Sequence, residues 1–237
     1  MPMENITFKA TTAENSYNIS YELNGGVDPG NPTVYTKDDE ITLKNPTKTG
    51  YKFLGWTTTE QVEPQNPMVI HRGTIGDLML FAEWEAEVYT IAYNLNGGAF
   101  SYEHPTEYTI ETNDIFVENP TKEGYIFLGW TGTELVGNIK DLVITKGSCG
   151  NRAYTANFAA DDEIPYTVYH WTQNLDGDDT KKDSENYSLA YTDSLTGTTG
   201  ANLNPSVKDI VGFTSPSTQT IVIKEDGSSE LNYYYER

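Results

Sequence analysis

Three groups of residues in this sequence carry side chains that could do chemistry. Asp176-Gly177-Asp178-Asp179 offers carboxylates and backbone carbonyls of the kind that hold calcium. His71, His104 and His170, with Cys149, offer metal ligands or a nucleophile, and Trp56, Trp84, Trp130 and Phe158 offer flat rings on which a sugar could lie. Spacing argues against the first two groups. An EF-hand loop needs a ligand at alternate positions and a Glu at its twelfth, which the acidic run does not supply, so a turn is expected there. The histidines have no metal-ligand spacing to one another. Cys149 is the single cysteine, with no His or basic residue beside it, so a structural thiol is expected, with no intrachain disulfide and no cysteine-built metal cluster. No G-x-S-x-G, H-E-x-x-H, P-loop or dinucleotide fingerprint occurs. The sequence therefore predicts no catalytic residue, no cofactor site and no metal site.

The aromatic rings stand apart because they recur. Residues 45–56 read N-P-T-K-T-G-Y-K-F-L-G-W and residues 119–130 read N-P-T-K-E-G-Y-I-F-L-G-W, alike at ten of twelve positions and 74 residues apart. A match of that length within one chain marks a duplicated folding unit. The tryptophans belong to the repeated part, so core anchoring is expected rather than sugar stacking, at about 2–3 kcal/mol of burial per ring.

The elements that hold these rings follow from the alternation around them. Tyr17, Ile19, Tyr21 and Leu23 alternate with polar residues and run into Asn24-Gly25-Gly26; Tyr89, Ile91, Tyr93, Leu95 and Asn96-Gly97-Gly98 repeat the pattern at an offset of 72. Alternation ending on Asn-Gly predicts a strand and a turn. The offset is 73 at Pro32 and Pro105 and 74 at the signature, which places two single-residue insertions in loops. It then holds through Gly73 and Gly147 to Ala82-Glu83-Trp84 and Ala156-Asn157-Phe158. Stretches 57–67 and 131–141 are equal in length but unlike in sequence, and such variable loops are where specificity is expected.

Residues 1–16 read as a leader strand or a disordered end, and A-A-D-D-E-I-P at 159–165 as a charged linker. The segment after it lacks the signature. It opens with an alternating strand at 166–171 and closes with a strand at 220–224, a turn at Asp226-Gly227 and a strand at 231–235, which puts Tyr233 and Tyr235 on the core face and Tyr234 outside. Its length matches the other two units.

Gly, Pro, Thr, Asn and Tyr are abundant and no window keeps a 3.6-residue apolar period, so the chain reads as mostly β. Fifteen basic against thirty-five acidic residues give a net charge of −20, spread along the chain. That field repels phosphate backbones and anionic lipid, which disfavours nucleic-acid and membrane-surface binding. No run approaches the ~20 apolar residues of a membrane span, so no membrane insertion is expected.

The two repeats resemble the internalin B-repeat, or Listeria–Bacteroides repeat, family: a strand, an N-G-G turn, then N-P-x-K-x-G-Y-x-F-x-G-W and a closing A-x-W. Asn24-Gly25-Gly26, Pro46, Lys48, Gly50-Tyr51, Phe53, Gly55-Trp56, Ala82 and Trp84 carry the first copy. Asn96-Gly97-Gly98, Pro120, Lys122, Gly124-Tyr125, Phe127 and Gly129-Trp130 carry the second, which departs by ending Ala156-Asn157-Phe158. The third segment resembles a mucin-binding-protein type module through Tyr166-Thr167-Val168, Leu195-Thr196-Gly197-Thr198-Thr199-Gly200, Gly212-Phe213 and Asp226-Gly227-Ser228. The resemblance implies tandem small β-grasp (ubiquitin-like) units in an elongated array: unit one at 17–87, unit two at 88–160 and the mucin-binding-like unit at 161–237. It implies a non-enzymatic stalk or spacer of a secreted, wall-attached bacterial cell-surface protein, with a role in adhesion. Signal and anchor are expected outside this chain. The expected partner is a host or bacterial surface glycan or protein, with the chain itself a monomer. Two alternatives stand beside this reading: a glycan- or mucin-binding domain contacting ligand through the third unit and the loops 57–67 and 131–141, and an accessory module of a larger secreted enzyme.

Overall fold

The computed structural model describes residues 15–237, and among them no helix is present. The leader expected at 1–16 lies outside the described residues except for its last two, and Ser16 already opens the first strand. By contacts the chain forms two compact bodies. One holds the described residues up to Thr90 together with Glu107–Asn113 and Thr145–Asn151; the other holds Ile91–Thr106, Asp114–Ile144 and Arg152–Arg237.

The first repeat contributes β1 (Ser16–Glu22), β2 (Val34–Thr36), β3 (Ile41–Thr42), β4 (Tyr51–Thr57), β5 (Val69–Ile70) and β6 (Leu78–Ala86). Four of them form a mixed sheet in the order β2-β1-β6-β4, with β1 and β6 parallel at its centre and both flanking pairs antiparallel. β3 and β5 form a separate antiparallel ribbon. Period-2 alternation puts Ile19 of β1 and Leu80 and Ala82 of β6 on one face, where they are buried with Trp56, Tyr35, Leu43 and Ile70. The ribbon and its flanks thus cover the face on which a β-grasp unit would carry a helix. β4 departs from alternation. Its register slips between Phe53 and Gly55, and this bulge lets Phe53 and Trp56, three residues apart, turn to the same side with ring centroids 5.5 Å apart.

The second repeat retraces this with β7 (Tyr89–Asn94), β8 (Glu107–Tyr108), β9 (Ile115–Val117), β10 (Tyr125–Gly132), β11 (Leu142–Ile144) and β12 (Arg152–Ala160). The order is β10-β12-β7-β8, β7 and β12 run parallel, β9 and β11 form the ribbon, and the bulge recurs between Phe127 and Gly129.

The third segment has β13 (Ile164–Gln173), β14 (Tyr187–Gly197), β15 (Asn202–Leu203), β16 (Ile221–Val222) and β17 (Ser229–Tyr235). Its sheet, β14-β13-β17, keeps the parallel pairing of first and last strands, and β15–β16 supplies a ribbon. Ile164, Tyr166, Val168, Ile221, Ile223, Leu231, Tyr233 and Tyr235 make its core. The long coil beside β17 is fixed by tyrosine hydroxyls that come through this core. Tyr233 donates to the Pro205 carbonyl at 2.7 Å, and Tyr235 accepts from the Lys208 amide at 2.7 Å. Tyr234, expected outside, is half-buried on the opposite face, stacked on Trp171 at 6.3 Å and edge-on to Tyr187 at 5.0 Å. The linker is shorter than its composition suggests: β12 runs through Ala160 and β13 starts at Ile164, whose burial on the core outweighs the proline after it.

Candidate functional site

The repeated signature builds a structural clamp. Lys48 Nζ donates to the Asn24 carbonyl at 2.9 Å while standing 3.9 Å from the Tyr51 ring centroid and 5.8 Å from that of Trp84; Lys122 does the same with Asn96 at 3.1 Å, Tyr125 at 4.1 Å and Phe158 at 5.7 Å. Asn24 and Asn96, both at positive φ, donate from Nδ2 to the carbonyls of Ala82 and Ala156 at 3.0 and 2.7 Å. One lysine therefore ties the N-G-G turn to the signature corner and the closing strand through a cation–π contact and a charge-assisted hydrogen bond. Trp84 adds a bond from Nε1 to the Leu23 carbonyl at 3.1 Å that Phe158 cannot make. Trp56 and Trp130 are both 0% exposed, which removes them as sugar platforms; Trp84 and Phe158 are half-buried in the clamp. Neither Trp56 Nε1 nor Trp130 Nε1 has a hydrogen-bond partner, an orphan donor at the same place in both copies.

The acidic run folds as a turn, with Gly177 N bonded to the Asn174 carbonyl at 3.0 Å. Asp178 spends its carboxylate on the Thr180 amide and hydroxyl at 2.9 and 2.6 Å, and these bonds hold it below the usual carboxylate range. Among the described residues no three His, Cys, Asp or Glu side chains converge as a metal-binding group.

His170 is fully buried in a polar line: Nδ1 lies 2.8 Å from the Tyr235 hydroxyl and Nε2 3.2 Å from Asp193 Oδ2, which Lys208 Nζ meets at 2.7 Å. The residues look like a relay, but His170 and Tyr235 are both at 0% exposure and neither is open to a ligand. Burial pulls the imidazole below its ordinary pKa, with Asp193 acting against it; for a ring wholly out of water the burial is the larger cause. A folded pKa below the unfolded one means that the unfolded chain binds the proton more readily, so stability is lost as pH falls below about 6.5. The melting temperature of the third segment is expected to drop between pH 7 and 5, and His170→Gln is expected to flatten that slope at a lower overall value. Melts at a series of pH values check this.

A concave aromatic surface that the sequence did not announce lies in the second repeat, over the loop 99–106. Its opening of about 790 Å³ is lined by Tyr93, Phe100, Ser101, Tyr102, Glu103 and His104 among others. Phe100 and Tyr102 flank the His104 ring with centroids at 4.3 and 4.5 Å, and Tyr93 meets Phe100 edge-on at 5.4 Å. The loop is pinned by Glu118, which accepts from the Ser101 amide and hydroxyl at 3.1 and 2.6 Å and lies 3.6 Å from His104 Nε2. The Ser101 bonds, first of all, hold the Glu118 carboxyl low, while burial pushes the Tyr93 phenol up to about 12. Tyr102 is 59% exposed. The first repeat has no counterpart, because its shorter loop reads Val27-Asp28-Pro29-Gly30-Asn31 and closes through Asn31, whose side chain bonds the Lys44 amide and carbonyl at 2.7 and 2.9 Å. The signal was the single-residue insertion that shifts the offset from 72 to 73, in a loop that here reads Phe-Ser-Tyr-Glu-His. The loops 57–67 and 131–141, where specificity was expected, carry exposed Val62 and Val136.

Mixed sheets with a buried Gly-Trp corner, met twice in one chain, agree with the comparison to known proteins. The profile of the Listeria-Bacteroides repeat domain matches residues 17–83 and 89–151, more than half of the chain. The chain belongs to this family. It is similar to a protein named as a membrane protein in Evansella cellulosilytica, at 34% identity over 135 residues, 56% of this chain and 19% of the relative. It is also similar to a protein named as a Gly-rich membrane protein in the same organism, at 31% over 137 residues, 56% of this chain and 15% of the relative. Internalin H of Listeria monocytogenes matches at 25% over 167 residues, 67% of this chain and 30% of that protein. The chain thus spans less than a third of the length of each of these relatives. No solved structure matches it, and no helix among the described residues is long and apolar enough to cross a membrane.

Proposed function

We propose that the chain is a non-enzymatic repeat segment of a bacterial cell-surface protein, exposed outside the cell, that acts as a stalk or spacer carrying adhesive surface away from the wall. The division into units at 17–87, 88–160 and 161–237, the third of mucin-binding type, belongs to this proposal. The observation that carries it is the use of the signature: every aromatic residue of N-P-T-K-x-G-Y-x-F-L-G-W that is wholly buried, Trp56 and Trp130, serves the core, and the lysine clamp holds a turn. A motif copied at ten of twelve positions, with its tryptophan in the core and its lysine on a turn, supports a role in holding shape. A stalk of three compact units is expected to scatter X-rays with a radius of gyration near ~27 Å, against ~18 Å for one globule of this length. The smaller value would refute the spacer.

The aromatic groove favours a second reading, glycan recognition. Exposed Tyr102 beside Phe100, with Ser101 and Glu103 as polar neighbours, has the composition of a sugar-stacking surface. On a glycan array the chain is then expected to give a signal that Tyr102→Ala abolishes while the melting temperature holds. A silent array, or a signal indifferent to Tyr102, leaves the spacer alone.

A further inference from the structure

The Gly-Tyr corner of the signature is covered in both copies by the repeat or segment that follows. A Cβ placed on Gly50 would lie 2.7 Å from Ile110 Cδ1 and 3.2 Å from Cys149 Sγ. Beside it Tyr51 donates its hydroxyl to Glu111 Oε1 at 2.8 Å, and the Glu87 amide donates to the Gly50 carbonyl at 3.0 Å. One repeat further on, a Cβ on Gly124 would lie 2.5 Å from Glu225 Cβ and 2.8 Å from Thr199 Oγ1. Thr199 Oγ1 donates to the Gly124 carbonyl at 2.7 Å and the Asp161 amide donates to it at 2.9 Å. Glu87 and Asp161 are 74 residues apart, so the two joints are the same joint.

The receiving surface is made of two turns in each case. One follows the second strand of the incoming segment and holds Ile110-Glu111 or Thr198-Thr199; the other precedes its last strand and holds Cys149 or Glu225. Gly147 N bonds the Ile110 carbonyl at 3.0 Å, and the Tyr108 hydroxyl bonds the Gly150 carbonyl at 2.6 Å, which locks the turns together.

The first repeat has the same two turns with the same locks. Gly73 N bonds the Lys37 carbonyl at 2.7 Å, and the Tyr35 hydroxyl bonds the Gly76 carbonyl at 2.6 Å. Lys37 and Asp38 therefore stand where Ile110 and Glu111 stand, and Ile75 stands where Cys149 does. Ile75 is 69% exposed, and Lys37 and Asp38 are exposed beside it.

We propose that this end of the first repeat is a socket for the Gly-Tyr corner of another Listeria-Bacteroides repeat set directly upstream of it. Ile75 covers the glycine, and Asp38 takes the tyrosine hydroxyl as Glu111 does. A second copy of this chain is not the occupant, because both of its own corners are already covered. The inference rests on the family and on the repeated joint, not on the spacer reading, so scattering and the test below fail independently.

The test uses the full chain carrying Ile75→Cys, and the same chain with a duplicate of residues 17–88 in place of residues 1–16. Alkylation of the new thiol is followed by peptide mapping, which separates it from Cys149. In the extended chain the reaction is expected to slow about tenfold, as a contact that must open before labelling requires. Gly50→Arg, made in the duplicate alone, is expected to restore the rate. Equal rates in the two chains, or slowing that the Arg leaves in place, would overturn the proposal.

Discussion

Trp56→Ala is expected to cost the first repeat about 3–5 kcal/mol, the range for removing a fully buried large aromatic side chain. The ring is 0% exposed and is met by Tyr21 at 5.4 Å and by Phe53 at 5.5 Å, so its loss opens a cavity that a sheet and a short ribbon cannot close. A unit of about 70 residues buries only about 60% of its unfolded surface and has little stability in reserve. The variant's first repeat is therefore expected to be largely unfolded at 37 °C, seen as an early transition in a thermal melt, and Trp130→Ala is expected to do the same in the second repeat. A melt displaced by less than about 3 °C would be inconsistent with core anchoring and would return the indoles to consideration as a binding surface.

The second large effect is expected at the glycine before each of these tryptophans. Gly55 and Gly129 lie at φ +152° and +137°, in the bulges. A Cβ on Gly55 would stand 2.8 Å from the backbone N, C and O of Gln65, and one on Gly129 2.8 Å from Ile139 N. Those backbones cannot yield, because Trp56 and Gln65 exchange both their amide–carbonyl bonds, at 3.0 and 2.9 Å, and Trp130 and Ile139 exchange theirs at 2.8 and 2.9 Å. Gly55→Ala and Gly129→Ala are expected to lose about 2–4 kcal/mol each, combining backbone strain with overpacking. Gly73→Ala is the control: φ is +89°, but nothing lies within 4 Å of its Cβ, so only about 1–2 kcal/mol of left-handed strain is expected. Urea titrations followed by tryptophan fluorescence separate the two. Equal losses at Gly55 and Gly73 would show that φ, not the close approach, fixes the glycine.

The bulge also marks where the sequence stopped being readable. Alternation placed β1, β7, β13 and β17 and their inward faces, because period 2 is a local property of a strand and Ile19, Ile91 and Val168 announce it. In β4 alternation would set Phe53 and Trp56 on opposite faces; the slip at Gly55 puts them together, and no local pattern shows which strand will pair there. The aromatic groove was half legible. The insertion before His104 was visible as a change of offset, but that Phe100, Tyr102 and His104 gather their rings depends on Glu118, which arrives from another loop to hold Ser101. Tyr234 shows the same limit: its parity was right, but Trp171 and Tyr187 meet it from other strands.

By itself the sequence determined the duplication, the β character of the chain, the turn residues and the family, all of which follow from spacing along the backbone and from side-chain type. Only the tertiary structure decided that the first and last strands of each repeat lie side by side and parallel, that a segment without the signature shares that arrangement, and that the signature lysine closes on a turn 24 residues away in the first copy and 26 in the second. Pairing between strands far apart in the chain is chosen by the shared burial of faces such as Ile19 with Leu80 and Val168 with Leu231, a property of the assembled core that no stretch of sequence carries alone.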